Sequence, residues 1–220
     1  MTRVLVYGRF QRFWHWTQAL LVIGLTLTGF EVHYPSLIAL LGFAEAVQVH
    51  RILAWAFVIL IAFAVFWHFT TGAWRQFVPT RRGLPAMVGY YLWGIFRGLP
   101  KPVHRTRTAR LNPLQRLAYV GLKLLVIPVL VTSGFLYLYA NELREAGWEL
   151  LSLGTLGAVH TFAAFAMVSF LCGHVYLTTT GSTPLANLRG MLNGYEDLDE
   201  AEEDEELTGL RPGRGGSDPA

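Results

Sequence analysis

Charge is what this sequence has least of for its length. Of 220 residues only 15% are charged, while 53% are hydrophobic. That balance is too apolar for a water-soluble domain of this size and points to a membrane protein. Cysteine is nearly absent: the single Cys172 rules out a disulfide scaffold, and with no C-x-x-C-H run covalent haem attachment is excluded. The N-terminus lacks a short apolar run ending in a small-residue cleavage site. Its first apolar stretch is long and rich in Trp, so it reads as a retained helix and not a signal peptide. No internal repeat and no nucleic-acid motif stands out, so no nucleic-acid partner is expected.

What is present is a set of long apolar runs. A bilayer core about 30 Å thick needs roughly 20 mostly apolar residues in a helix. Four stretches meet this, over residues 13–32, 49–69, 114–139 and 156–178. The expected fold is an all-α integral membrane protein, a four-transmembrane-helix bundle. The span interiors hold almost no charge, apart from Arg51 near one end and Lys123 about two turns into the third, where it can snorkel to the interface.

The remaining charges set the expected topology. Residues 1–195 carry 16 Lys and Arg against 5 Asp and Glu, whereas 196–206 hold 9 acids in 11 positions. The loop between spans two and three contains Arg75, Arg81, Arg82, Arg97, Lys101, Arg105, Arg107 and Arg110, and the N-terminus has Arg3, Arg9 and Arg12. The first loop has no basic residue before Arg51, and the third has only Arg144. Because cytoplasmic loops carry the excess of Lys and Arg, both termini and the middle loop are expected in the cytoplasm of a bacterium, with the chain multi-pass in its inner membrane. Residues 87–96 are aromatic and too short to span, so they are expected in the cytoplasmic interface. Residues 1–195 form the membrane domain, and 196–220 are expected to be an acidic, disordered tail.

Six of the seven histidines sit within or at the ends of the spans, where an ionisable side chain is costly and needs a partner or a task. On the fourth span His160 and His174 are 14 residues apart, which on a helix is about 40° from alignment and about 21 Å. One helix can thus serve two stacked sites. Low-spin haem in an electron carrier takes two axial ligands, so each of these histidines needs a partner from another helix at its own depth. At the cytoplasmic end the candidates are His15 and His68; at the outer end they are His50 and His33. Spacing does not choose between them, because His15 to His33 and His50 to His68 are each 18 residues, about five turns, and share a face. His104, in the basic loop, reads as solvated.

Motifs along the chain carry a family resemblance. They are Arg12-Phe-Trp-His15-Trp16, Leu27-Thr-Gly-Phe30, His50-Arg-Ile-Leu53, Asn112-Pro113, the interval from His160 to His174, His174-Val-Tyr-Leu177 and Met191-Leu-Asn-Gly-Tyr195. With these the sequence resembles the cytochrome b subunits of membrane-bound nickel–iron hydrogenases, the gamma subunit of respiratory formate dehydrogenase and thiosulfate-reductase-type membrane anchors. The likeness covers all four spans and lapses in loops and tail. It implies two haem b groups held as metal ligands by His15 with His174 and by His50 with His160, in agreement with the depths. It also implies a periplasmic redox enzyme subunit or cytochrome c as partner at the outer haem and membrane quinone reacting near the inner one, with Asn112 and Gln115 as quinone contacts. His33 and His68 match no ligand of the family.

Local physics adds roles beside these. Arg12 and Arg51 flank the two sites, either to pair with haem propionates or to anchor the chain at the interface. Asn112 followed by Pro113 is also a helix N-cap signal. Gly29 lies at the depth of the outer site, where it leaves room for a macrocycle or for helix packing. A competing class is a proton or metal transporter using the intramembrane histidines, but it needs acids along a path and the span interiors have none.

Overall fold

The computed structural model describes residues 2–100, 102–103, 111–148, 151–181 and 183–198. In chain order its elements are β1 (Thr2–Leu5), α1 (Arg9–His33), α2 (Phe43–Thr71) and α3 (Leu84–Gly89), followed by α4 (Pro113–Leu138), α5 (Ala140–Glu145), α6 (Leu153–Thr178), α7 (Ala186–Asn193) and β2 (Tyr195–Leu198). A 3-10 turn at Ala73–Phe77 follows α2, and α3 continues in tighter and wider turns to Arg97. This last stretch is the segment expected at the interface; it buries Met87 and exposes Leu92, Trp93 and Phe96.

Among the described residues, α2, α4 and α6 are long and apolar enough to cross a membrane. Together they make an all-α membrane protein of the chain's body. The helix read as the first span, α1, has the length at 25 residues. Its apolarity is diluted by Gln11, Thr17, Gln18, Thr26, Thr28 and Glu31. Several helices run past their apolar cores: α2 begins at Phe43 and not at 49, with Glu45 in its first turn, where the helix dipole favours an acid.

One buried side chain from each long helix builds the central core: Val22, Phe57, Leu122 and Met167. Met167 is seven residues from both His160 and His174, so this layer lies midway between them. Helices α1 and α2 approach closely at Gly24, where a Cβ would stand 2.8 Å from Leu53 Cδ1 and would have to displace that side chain. Within α4 the turns widen to π geometry at Leu122–Val126, just before Pro128. Proline has no N–H for the carbonyl four residues back and its ring crowds it, so a widened turn there relieves both problems.

Two findings depart from expectation, one at each end of the bundle. The strands β1 and β2 pair antiparallel with Thr2 opposite Leu198 and Leu5 opposite Tyr195, so residues 196–198 of the expected tail are ordered strand. Gly194 makes this possible: at φ +93° it reverses the chain, and its carbonyl accepts from the N–H groups of Val6 (2.8 Å) and Tyr7 (3.1 Å). The rest of the tail, 199–220, and His104 lie outside the described residues. At the other end Glu31 is buried, and one oxygen accepts from the N–H groups of Leu41 (2.8 Å) and Gly42 (2.7 Å), tying the first loop to the start of α2. The sequence reading gave this acid no role.

Candidate haem-ligand pairs

Helix α6 carries both anchor histidines, and each meets one partner. The ring centres of His15 and His174 are 6.1 Å apart, and those of His50 and His160 are 6.4 Å apart. Two imidazoles on opposite sides of one metal, with metal–nitrogen bonds of about 2 Å, have ring centres about 6 Å apart. Both pairs have that separation. Among the described residues no three His, Cys, Asp or Glu side chains gather as a metal cluster, so pairs are what the fold provides. The other two helix histidines stand apart: His33 lies edge-on to Tyr34 at 4.5 Å, and His68 faces Lys123.

Hydrogen bonding sets the outer pair in the ligand form. His160 Nδ1 is 3.1 Å from the Leu130 carbonyl, which can only accept, so Nδ1 carries the proton. The same N–H reaches Ser133 Oγ at 3.0 Å, whose own proton goes to Val129 O. His50 repeats the scheme: its Nδ1 lies 2.9 Å from Thr28 Oγ1, which donates to Gly24 O. In both rings Nε2 keeps its lone pair, and the Nδ1–H bond fixes ring direction, as is usual for metal-bound imidazole.

A glycine follows each of these hydroxyl residues. A Cβ on Gly29 would stand 3.4 Å from His50 Cε1, and one on Gly134 would stand 3.1 Å from His160 Cε1. Thr28-Gly29-Phe30 on α1 and Ser133-Gly134-Phe135 on α4 therefore play matching parts, a local repeat that the sequence reading did not see. Gly29 was expected at this depth; its observed neighbour is the imidazole itself.

The inner pair is held differently. His174 stacks on Phe170 with ring centres 6.1 Å apart, and its Nδ1 is 3.4 Å from the Tyr119 hydroxyl. His15 lies edge-on to Trp16 at 5.3 Å. The buried Nδ1 of His15 has no hydrogen-bond partner among the described residues, so His15 lacks the Nδ1 anchor that fixes His50 and His160.

The flanking candidates resolve into distinct tasks. Arg12 Nη1 donates to Leu192 O at 2.6 Å and Trp16 Nε1 donates to Met191 O at 3.1 Å, so the first and last motifs meet and pin the end of α7. Arg51 is exposed beside His50. Asn112 is the N-cap of α4: its Oδ1 accepts from Gln115 N (2.8 Å), Gln115 Oε1 accepts from Asn112 N (3.1 Å), and its Nδ2 faces Tyr91 Oη (3.3 Å). Its capping role is therefore formed. Asn112→Ala is expected to cost about 1 kcal/mol, read as a lower thermal midpoint with haem content unchanged.

Residues 6–194 match the family model described as prokaryotic cytochrome b561. YdhU of Escherichia coli (strain K12), a protein named as a cytochrome, is 29% identical over 199 residues, covering 88% of this chain and 74% of that relative.

Proposed function

The chain belongs to the prokaryotic cytochrome b561 family, and from that premise we propose that it carries electrons across the bacterial inner membrane through two b haems, between a periplasmic redox partner and membrane quinone. The observation that supports this most is the pair of imidazole separations, 6.1 Å and 6.4 Å, at two levels of one helix. In this reading α1 also crosses the membrane, making four spans with α2, α4 and α6, and the basic stretch between α2 and α4 faces the cytoplasm with both termini. The chain serves as membrane anchor to an oxidoreductase subunit or a cytochrome c, and quinone reacts at the end that holds His15 and His174.

Bound haem supplies one-electron chemistry at each level. The residues supply position. His50 and His160 present Nε2 because Thr28, Ser133 and the Leu130 carbonyl occupy Nδ1. The central layer of Val22, Phe57, Leu122 and Met167 excludes water between the levels and keeps them apart. Past Glu45 in the first turn of α2, helices α2, α4 and α6 carry no acid, a composition that suits electron transfer better than a proton path.

The test is a reduced-minus-oxidised optical spectrum of purified protein with pyridine haemochrome quantitation. Two b haems per chain are expected. A colourless protein would overturn the proposal and return the histidines to proton or metal transport.

A further inference from the structure

Lys123 is a cation in the wrong place for an ordinary span. It sits in the widened turn of α4, and its Nζ lies 3.2 Å from the ring centre of Phe77 and 3.5 Å from His68 Nε2. His68 Nδ1 is 2.6 Å from the Ala64 carbonyl, which only accepts. The ring proton is therefore on Nδ1, and Nε2 turns a lone pair to the ammonium. No Asp or Glu occurs between Glu45 and Glu142, and α6 has none either. Every neighbour that these contacts give the ammonium is thus neutral: an imidazole and an aromatic face. An ammonium has three donors, and an uncompensated one inside a membrane protein is a mark of function.

The surroundings say what would complete it. The Trp14 ring lies 6.0 Å from His68, and its buried indole N–H has no acceptor among the described residues. Tyr119 lies 6.1 Å from Phe77, and its hydroxyl is 3.4 Å from His174 Nδ1. Trp14 precedes His15 in the chain. The constellation thus stands between the neighbours of both inner histidines, with two donors, the Lys123 ammonium and the Trp14 indole N–H, that these contacts leave without an oxygen among the described residues, and with aromatic faces that suit a flat ring. Phe77 belongs to the turn that ends α2, the depth of the interface, where a lipid-soluble molecule can bring a polar head.

We propose that Lys123 and His68 form the head-group site for quinone, with Lys123 Nζ donating to a head-group oxygen and His68 holding the ammonium in place. This rests on the quinone reading above and moves the contact from Asn112, whose side chain is engaged in the cap of α4.

The experiment uses the full-length haem-loaded protein and a fluorescent alkyl-hydroxyquinoline N-oxide, a quinone mimic whose emission is quenched on binding. Lys123→Met keeps the stem and suits a span, and retention of both haem bands confirms the fold. Loss of a charged hydrogen bond is expected to weaken binding about tenfold or more. Lys123→Arg recovers part of it, and Asn112→Ala stays near the wild-type affinity. Wild-type affinity in Lys123→Met, or loss confined to Asn112→Ala, would overturn the site. A wild-type protein that neither binds the mimic nor accepts electrons from a quinol would overturn the quinone reading itself, and the site with it.

Discussion

His160→Leu is expected to lower the haem content of the purified protein from two per chain to one, removing the outer haem and leaving the inner band intact. His50→Leu should do the same, while His15→Leu and His174→Leu should remove the inner haem instead. The size of the effect follows from coordination, because a bis-imidazole iron that loses one axial ligand loses half of what holds it. Its selectivity follows from distance. His160 and His174 are about 21 Å apart along α6, with Met167 and the central layer between them, and changes so far apart act independently. Leucine fills a similar volume in an apolar setting, so the helix itself is not disturbed. His33→Leu is the control and should keep both haems, since its ring packs on Tyr34 and Phe165. Pyridine haemochrome quantitation of each variant decides it: loss of a haem in His33→Leu, or retention of both in His160→Leu, would sink the pairing.

The helices that frame these pairs were legible because hydrophobicity is written locally. A run of apolar residues announces a span whatever surrounds it, and 14 residues between two histidines fixes their separation on any straight helix. Helix ends were less legible, since α2 starts six residues before its apolar run with Glu45 and Gln48 in the added turns. Depth leaves two candidates at each end, and spacing does not choose between them because His15 and His33, like His50 and His68, share a face. Their contacts separate them: His68 meets Lys123 on α4, and His33 meets Phe165 on α6.

The parts that escaped reading are those built across elements. Thr28-Gly29 and Ser133-Gly134 are more than a hundred residues apart, and two residues are too short a match to notice as a repeat. Their likeness shows only when each hydroxyl is found on an imidazole. By sequence Arg12 suits a propionate partner or an interfacial anchor; its Nη1 donates to the carbonyl of Leu192, 180 residues on. Glu31 has no role that its place in the sequence suggests, and its bonds to Leu41 N and Gly42 N depend on how the loop folds back. The β1–β2 pair was hidden by the acidic composition of the run that begins at Glu196, since strand pairing uses backbone groups that composition does not describe.

Gly134 carries the second large prediction. A Cβ there would lie 3.1 Å from His160 Cε1, closer than side chains ordinarily approach. His160 has little freedom to retreat, because its Nδ1–H is held by Ser133 Oγ and Leu130 O on the same helix that would push it away. Alanine must displace the ring by a few tenths of an ångström, stretching those bonds and tilting Nε2; it should lower outer-haem occupancy only in part. Valine adds two further methyl groups against the ring face and should abolish outer-haem binding, as completely as His160→Leu does, with the inner haem unaffected. Gly29 offers the comparison within the same pocket. Its Cβ would meet His50 Cε1 at 3.4 Å, the edge of ordinary contact, so Gly29→Ala should leave both haems in place. Haem content of the three variants, with a redox titration to identify which haem remains, makes the test. Two haems in Gly134→Val would show that the ring can yield, and that the hydroxyl bonds do not hold it where the pairing requires.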